Sequence, residues 1–384
     1  MTIDYKIAKY AYKFGQSQKP SYLHKIAHHL MGGSGGPGKP GRTNNQSGGD
    51  GTTSRNIKRQ DLDSLLDYLK SVTTGSKHKT KRKYFVILYG PPASGKTVAR
   101  KIACDLIYEK YDEFHPKELY ETFIDTGVDE ITYRVISTKN DVGETANTAA
   151  TAASISDRAG KLEERTVEDA LKDNAREIIG DGDDVQRERI AREKIDELVR
   201  TSFEIYRHDR ADNISELLYY LSVFLGMNIF FETASGSVDY IDGILKNLGY
   251  YDYIPIVVYP FIRDVNILYD RSIKRGLKEG RFLKCGSDYG ISAHMTNSLE
   301  GYDTLKEIIR TKDEYIICMY DAEFDSQEYE RLNDYYFDSM ADHILETEYA
   351  KIESVDILKH RIIEHSVHQD FKNKTKLNTE CRIE

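Results

Sequence analysis

Cysteine is scarce. Cys104, Cys285, Cys318 and Cys381 are the four in 384 residues, and no two form a Cys-x-x-Cys pair. That excludes a zinc knuckle and gives no sign of a disulfide frame, so a reducing compartment is expected. Long apolar runs are missing as well. The stretch from Leu217 to Phe231 is broken by Ser222, Gly226 and Asn228, and falls short of the roughly 20 residues a membrane span needs. The chain opens with no basic, apolar, small-residue leader pattern. The expectation is a soluble, cytoplasmic protein with no membrane partner. Nor is there an excess of positive charge: 54 Lys and Arg against 63 Asp and Glu leave a net −9, which argues against a surface built to grip nucleic acid.

What charge there is lies unevenly. Residues 1–60 hold ten Lys/Arg and two Asp/Glu, so a basic head of +8 precedes a body of −17. The head reads as a tail with its own contacts or as a solubilising extension. Residues 1–31 are basic and rich in tyrosine, and residues 32–59 are a Gly-rich segment with nine of the 27 glycines between 32 and 51. Such a composition cannot bury enough to offset its ordering entropy, so 32–59 is expected to be a disordered linker. A helix is predicted near Asp61–Val72 from Leu62, Leu65, Leu66 and Leu69.

Strands and helices then alternate. Predicted strands are Tyr84–Tyr89, Glu121–Asp125, Asn228–Glu232, Tyr253–Tyr259 and Glu314–Tyr320. Continuous apolar runs such as YFVILY suit strands buried on both faces. Predicted helices follow the first strand, span 213–225 behind an Asn213/Glu216 capping box, and run from Val238 to Leu248. This order implies an α/β fold: a five-stranded, mostly parallel sheet with helices on both faces. Residues 137–205 read as a charged helical insertion exposed to solvent, and residues 326–384 as a helical C-terminal extension.

Gly90, Pro91, Pro92, Ala93, Ser94, Gly95, Lys96 and Thr97 fit the phosphate-loop pattern of Gly, four free positions, and Gly-Lys-Ser/Thr. The glycines let the backbone curl so that its N–H groups point at phosphate oxygens. Lys96 would reach the outer phosphates, Thr97 would ligate Mg²⁺, and the helix that follows adds its dipole. Chance alone produces this pattern in roughly 2 in 100 chains of this length, and an apolar strand before it with an amphipathic helix after it lowers that further. The loop does not name a reaction. No Asn-Lys-x-Asp guanine reader is present, and the one apolar strand that ends in an acid, Phe230-Phe231-Glu232-Thr233, lacks the paired acids of a large ATPase motor.

From residue 62 to 325 the chain resembles the zeta toxin family of phosphate-loop kinases. The resemblance is carried by GPPASGKT and by Phe123-Ile124-Asp125-Thr126-Gly127-Val128-Asp129-Glu130 after strand two. Further along it is carried by Phe231-Glu232-Thr233, by Lys246, Gly249 and Tyr250, by Arg275 to Phe282, and by Met319-Tyr320-Asp321. Asp-x-x-x-Asp stands where the family has Asp-x-Asp, and the following His-Pro is missing. The resemblance implies ATP- and Mg²⁺-dependent phosphorylation of a hydroxyl on a small-molecule acceptor, in the family the sugar of UDP-N-acetylglucosamine. Asp129 would be general base, with Asp125 competing for that role. Glu232 would stand near the metal, and Arg275 and Arg281 would serve the transferring phosphoryl group, with Arg271 on the same helix face as Arg275. Residues 60–325 would be the kinase domain. Rival readings are a polynucleotide 5′-hydroxyl kinase and a non-catalytic nucleotide-sensing interaction module; a protein inhibitor is compatible with the sequence, which shows none.

Overall fold

A computed structural model gives the fold and describes residues 10, 13, 21, 22, 25, 26, 64–69, 71, 80–111, 113–128, 167–206, 209–234, 238–323, 344–349 and 377–382. In chain order the elements are β1 (Lys83–Tyr89), α1 (Lys96–Tyr111), α2 (Pro116–Tyr120), β2 (Phe123–Asp125), α3 (Val167–Ile179), α4 (Asp184–Glu193) and α5 (Ile195–Tyr206). Then come α6 (Asp209–Leu225), β3 (Asn228–Thr233), α7 (Val238–Leu248), β4 (Tyr253–Phe261), α8 (Val265–Glu279), α9 (Ile291–Arg310), β5 (Ile316–Asp321) and β6 (Ile344–Tyr349).

The strands form one sheet in the order β2-β3-β1-β4-β5-β6. The first five are parallel, as the apolar runs implied. Tyr84–Tyr89 are all fully buried, as expected for a strand covered on both faces. Asn228 ties the start of three strands together. Its Oδ1 accepts from the Tyr84 N–H at 3.0 Å, and its Nδ2 donates to the hydroxyls of Thr122 and Thr80 at 2.8 and 3.0 Å. The connection leaving β1 leads to one side of it and the connection from β3 to β4 leads to the other. Right-handed crossovers therefore place their helices on opposite faces. The carboxyl end of β1 becomes the switch point where open α/β sheets bind ligands.

Three expectations are corrected. First, the C-terminal extension is not simply helical: residues 344–349 form β6, antiparallel to β5. Its sequence, ILETEY, has strand alternation that the surrounding charged stretch masks. Secondly, the described half of the insertion, residues 167–206, is not a solvated arm. Its helices bury Ala175, Ile179, Ala191 and Leu198 against Ile273 and Phe282, making a second small core on α8. Arg192 pairs with Asp270 at 2.7 Å, and Lys284 pairs with Asp196. Thirdly, Cys285 and Cys381 form a disulfide, although 96 positions apart, because the fold brings their Cα atoms to 5.8 Å. It fastens residues 377–382 beside the start of α8, where Asn378 pairs with Asp264. Cys104 and Cys318 are free and buried.

The basic head also reaches the body. Ile26 is fully buried in the main core, with Tyr10 and Tyr22 packed against it and Lys25 over both rings at 5.2 and 5.7 Å. Leu65, Leu66 and Leu69 join the same core from the helical segment 64–69. The linker 32–59 and residues 137–166 of the insertion lie outside the described residues. Among the described residues no helix is long and apolar enough to cross a membrane.

Candidate active site

Residues 90–97 connect the buried end of β1 to the first turn of α1. Their backbone takes the values the spacing demands: φ is +152° at Gly90, +62° at Ala93 and +94° at Gly95. Only glycine adopts such values without cost, so Ala93 is held there by its surroundings. The loop is tied at both ends. The Gly90 N–H donates to the Thr233 carbonyl at 3.4 Å. The Tyr320 hydroxyl, from β5, donates to the Gly95 carbonyl at 2.9 Å. Tyr320, from the segment resembling the family's closing strand, thus buttresses the loop. Inside the turn, the Ser94 hydroxyl oxygen is buried with no hydrogen-bond partner. A buried polar atom left this way is costly, and an incoming phosphate oxygen could accept from it. The residues fit a phosphate.

The acids reach the loop from the neighbouring strands. Asp125 is the last residue of β2, and its register partner Phe230 lies on β3 two residues before Glu232. Glu232 is itself the register partner of Leu88 on β1. Lys96 donates to the Pro91 carbonyl at 2.9 Å and stands 3.5 Å from Glu232 Oε1. One turn further along α1, Arg100 Nη2 lies 2.5 Å from Asp125 Oδ2 and 3.1 Å from Glu232 Oε2. Its guanidinium carbon sits 5.8 Å from the centre of the Phe230 ring. Burial works against the Arg100 charge, but the carboxylates of Asp125 and Glu232 outweigh it and hold its pKa above the ordinary value. Burial likewise raises the Tyr120 hydroxyl, with Arg100 pulling the other way. Asp125 is pinned further: its Oδ1 accepts from the Gly127 N–H at 2.8 Å, and the Tyr68 hydroxyl lies 3.3 Å from both its backbone N and its backbone O.

The structure therefore brings together the phosphate loop, Asp125 and Glu232. Asp129 lies outside the described residues. Arg275 sits on α8 and pairs with Glu279 of its own helix at 2.6 Å. Arg281 and Arg271 are half-buried on the same α8 region, against which the insertion helices pack. Arg100 is the residue the sequence reading passed over. Its signal was its place four positions after Lys96, which puts the two on one helix face.

No family model matches this chain. It is 37% identical over 382 residues to a protein of Acanthamoeba polyphaga mimivirus described as "Uncharacterized protein L872", spanning 99% of each chain. A chain from the solved PezAT chromosomal toxin-antitoxin system of Streptococcus pneumoniae shares 13% identity. It matches over 75% of this chain and 93% of its own length, with a TM-score of 0.38. A likeness that low supports no conclusion; the strand order and the phosphate loop define the fold. The mimivirus match is different in kind, because it runs end to end at a level that common descent explains, and the protein belongs to the family of mimivirus protein L872.

Proposed function

We propose that this protein is an ATP-dependent phosphotransferase that moves the γ-phosphate of ATP to a hydroxyl of a small acceptor. The observation that carries the reading is the meeting of a curled phosphate loop, its Ser94 hydroxyl still unpartnered, with two carboxylates at the ends of the adjoining strands. Phosphoryl transfer asks little covalent work of a protein; it asks for positioning and for charge at the developing oxygens. The loop N–H groups and Lys96 would hold the β- and γ-phosphates. Thr97 and, through water, Glu232 would hold Mg²⁺ together with phosphate oxygens, as that ion is commonly bound. When bound, the ion neutralises charge between the phosphates.

The general base would be Asp129. Asp125 already spends its carboxylate on Arg100 and the Gly127 N–H, which disfavours taking a proton. Arg275 and Arg281 would serve the transferring phosphoryl group, a role that comes from the zeta toxin resemblance. The acceptor class, a sugar nucleotide such as UDP-N-acetylglucosamine, comes from the zeta toxin resemblance. ATP consumption by purified protein, with and without such acceptors, tests the reading. Lys96→Ala is expected to abolish turnover, and Asp129→Asn to lower it by about 10²-fold or more while ATP still binds. Turnover that is unchanged in Asp129→Asn overturns the base assignment. ATP binding without any transfer favours a sensing module, and transfer to a nucleic-acid 5′ end favours a polynucleotide kinase.

A further inference from the structure

The two cations beside the loop are held unequally. Lys96 shares Glu232 at 3.5 Å and rests on the Pro91 carbonyl. Arg100 takes the other oxygen of Glu232 at 3.1 Å and Asp125 at 2.5 Å through one nitrogen. The side chains of Asp125 and Arg100 are 10% and 18% exposed and that of Glu232 is 26% exposed, so neither acid could lose its partners cheaply. For Lys96 to bind a phosphate it must leave Glu232. With Arg100 in place, that departure still leaves the carboxylate paired. Without Arg100, Glu232 would still have Lys96 at 3.5 Å, and the lysine would be held toward that carboxylate and away from the ligand.

We propose that Arg100 is a positioning residue that keeps Glu232 compensated when Lys96 leaves it, so that the phosphate-loop lysine can be given up to a nucleotide. This rests on the reading of residues 90–97 as a phosphate site. The competition is between two anions for one ammonium group: the Glu232 carboxylate and the incoming phosphate. Arg100 biases it by giving the carboxylate another partner of fixed geometry. A lysine at position 100 would supply charge without the fork and would do this less well.

The test is metal-free binding of ATP and of tripolyphosphate by calorimetry, which keeps any metal-linked role of Glu232 out of the measurement. Arg100→Gln is expected to weaken binding by about tenfold or more, the size of a lost charge-assisted contact. Arg100→Lys should fall between it and the wild type. The decisive variant is Arg100→Gln/Glu232→Gln, which removes the competitor and should recover most of the lost affinity; a general structural defect would not be rescued in this way. Glu232→Gln alone should bind as tightly as the wild type or more tightly, and this holds as a test even where Arg100→Gln does not fold. Wild-type affinity in Arg100→Gln, no recovery in the double variant, or a tenfold loss in Glu232→Gln alone overturns the proposal while leaving the phosphate site standing. Failure of the wild type to bind either ligand overturns the phosphate site and this inference with it.

Discussion

Tyr89 ends β1 with its ring fully buried and its hydroxyl without a hydrogen-bond partner. The ring packs edge-on to Tyr259 and parallel to Tyr302, at centroid distances of 5.8 and 6.4 Å. The ring is therefore well accommodated and the oxygen is not. Burial pushes its pKa from 10.0 up to about 12. A raised folded-state value means stability that is complete below pH 10 and is lost as pH climbs toward 12, because the unfolded chain gives up its proton first. Tyr89→Phe is accordingly expected to stabilise the protein by about 1 kcal/mol at pH 8, with the gain over wild type growing above pH 10. Urea unfolding at a series of pH values checks both; a destabilised Phe variant would mean that the hydroxyl has a partner. At this scale the placing of Lys96 and Thr97 at the start of a helix behind a curled loop was legible from spacing alone. The roles of Arg100 and Tyr320 were not, since each acts on a residue of another element.

At the scale of elements, most strand positions were readable because a buried parallel strand must be apolar throughout. β4 runs two residues further than its apolar core suggested and β2 is two residues shorter, the kind of boundary that local pattern leaves open. The docking of the insertion was readable in principle: Val167, Leu171, Ala175 and Ile179 repeat every four residues and are the buried positions of α3. Dense charge on the other faces of these helices concealed that stripe. Where α3 meets α8, Gly280 caps the latter with φ +77°, and a Cβ there would lie 2.2 Å from the Leu171 carbonyl carbon. Gly280→Ala combines left-handed strain with a backbone clash and is expected to cost about 2–3 kcal/mol. The loss should appear in hydrogen exchange as faster opening of α3 and α8, with β1 and β4 protected as before. Unchanged protection in α3 would show that the small core does not depend on this contact.

At the scale of the whole molecule, the Cys285–Cys381 bond joins the last described segment to the loop before α9 across 96 positions. In the loop-closure picture a cross-link of that span removes about 4–5 kcal/mol of denatured-state freedom. Thermal unfolding with and without a dithiol reductant should therefore differ, and Cys381→Ser should match the reduced wild type. Equal midpoints for all three would show that the bond contributes nothing to stability. A disulfide of this span leaves no trace in sequence spacing, which is why the cysteine pattern pointed to a reducing compartment. The family assignment belongs to this scale too, since it rests on similarity over 99% of the chain.

The sequence by itself determined the local chemistry: a phosphate loop of fixed spacing, apolar strands that can exist only inside a sheet, and amphipathic helices between them. These follow from short-range sterics and from the period of burial, which any stretch of chain carries within itself. Only the tertiary structure decided which charges meet. The pairing of Arg100 with Asp125 and Glu232, the support of Gly95 by Tyr320, the second core on α8 and the joining of Cys285 to Cys381 each link segments far apart in the chain. Their energies depend on distance and burial, and those quantities do not exist until the sheet has assembled.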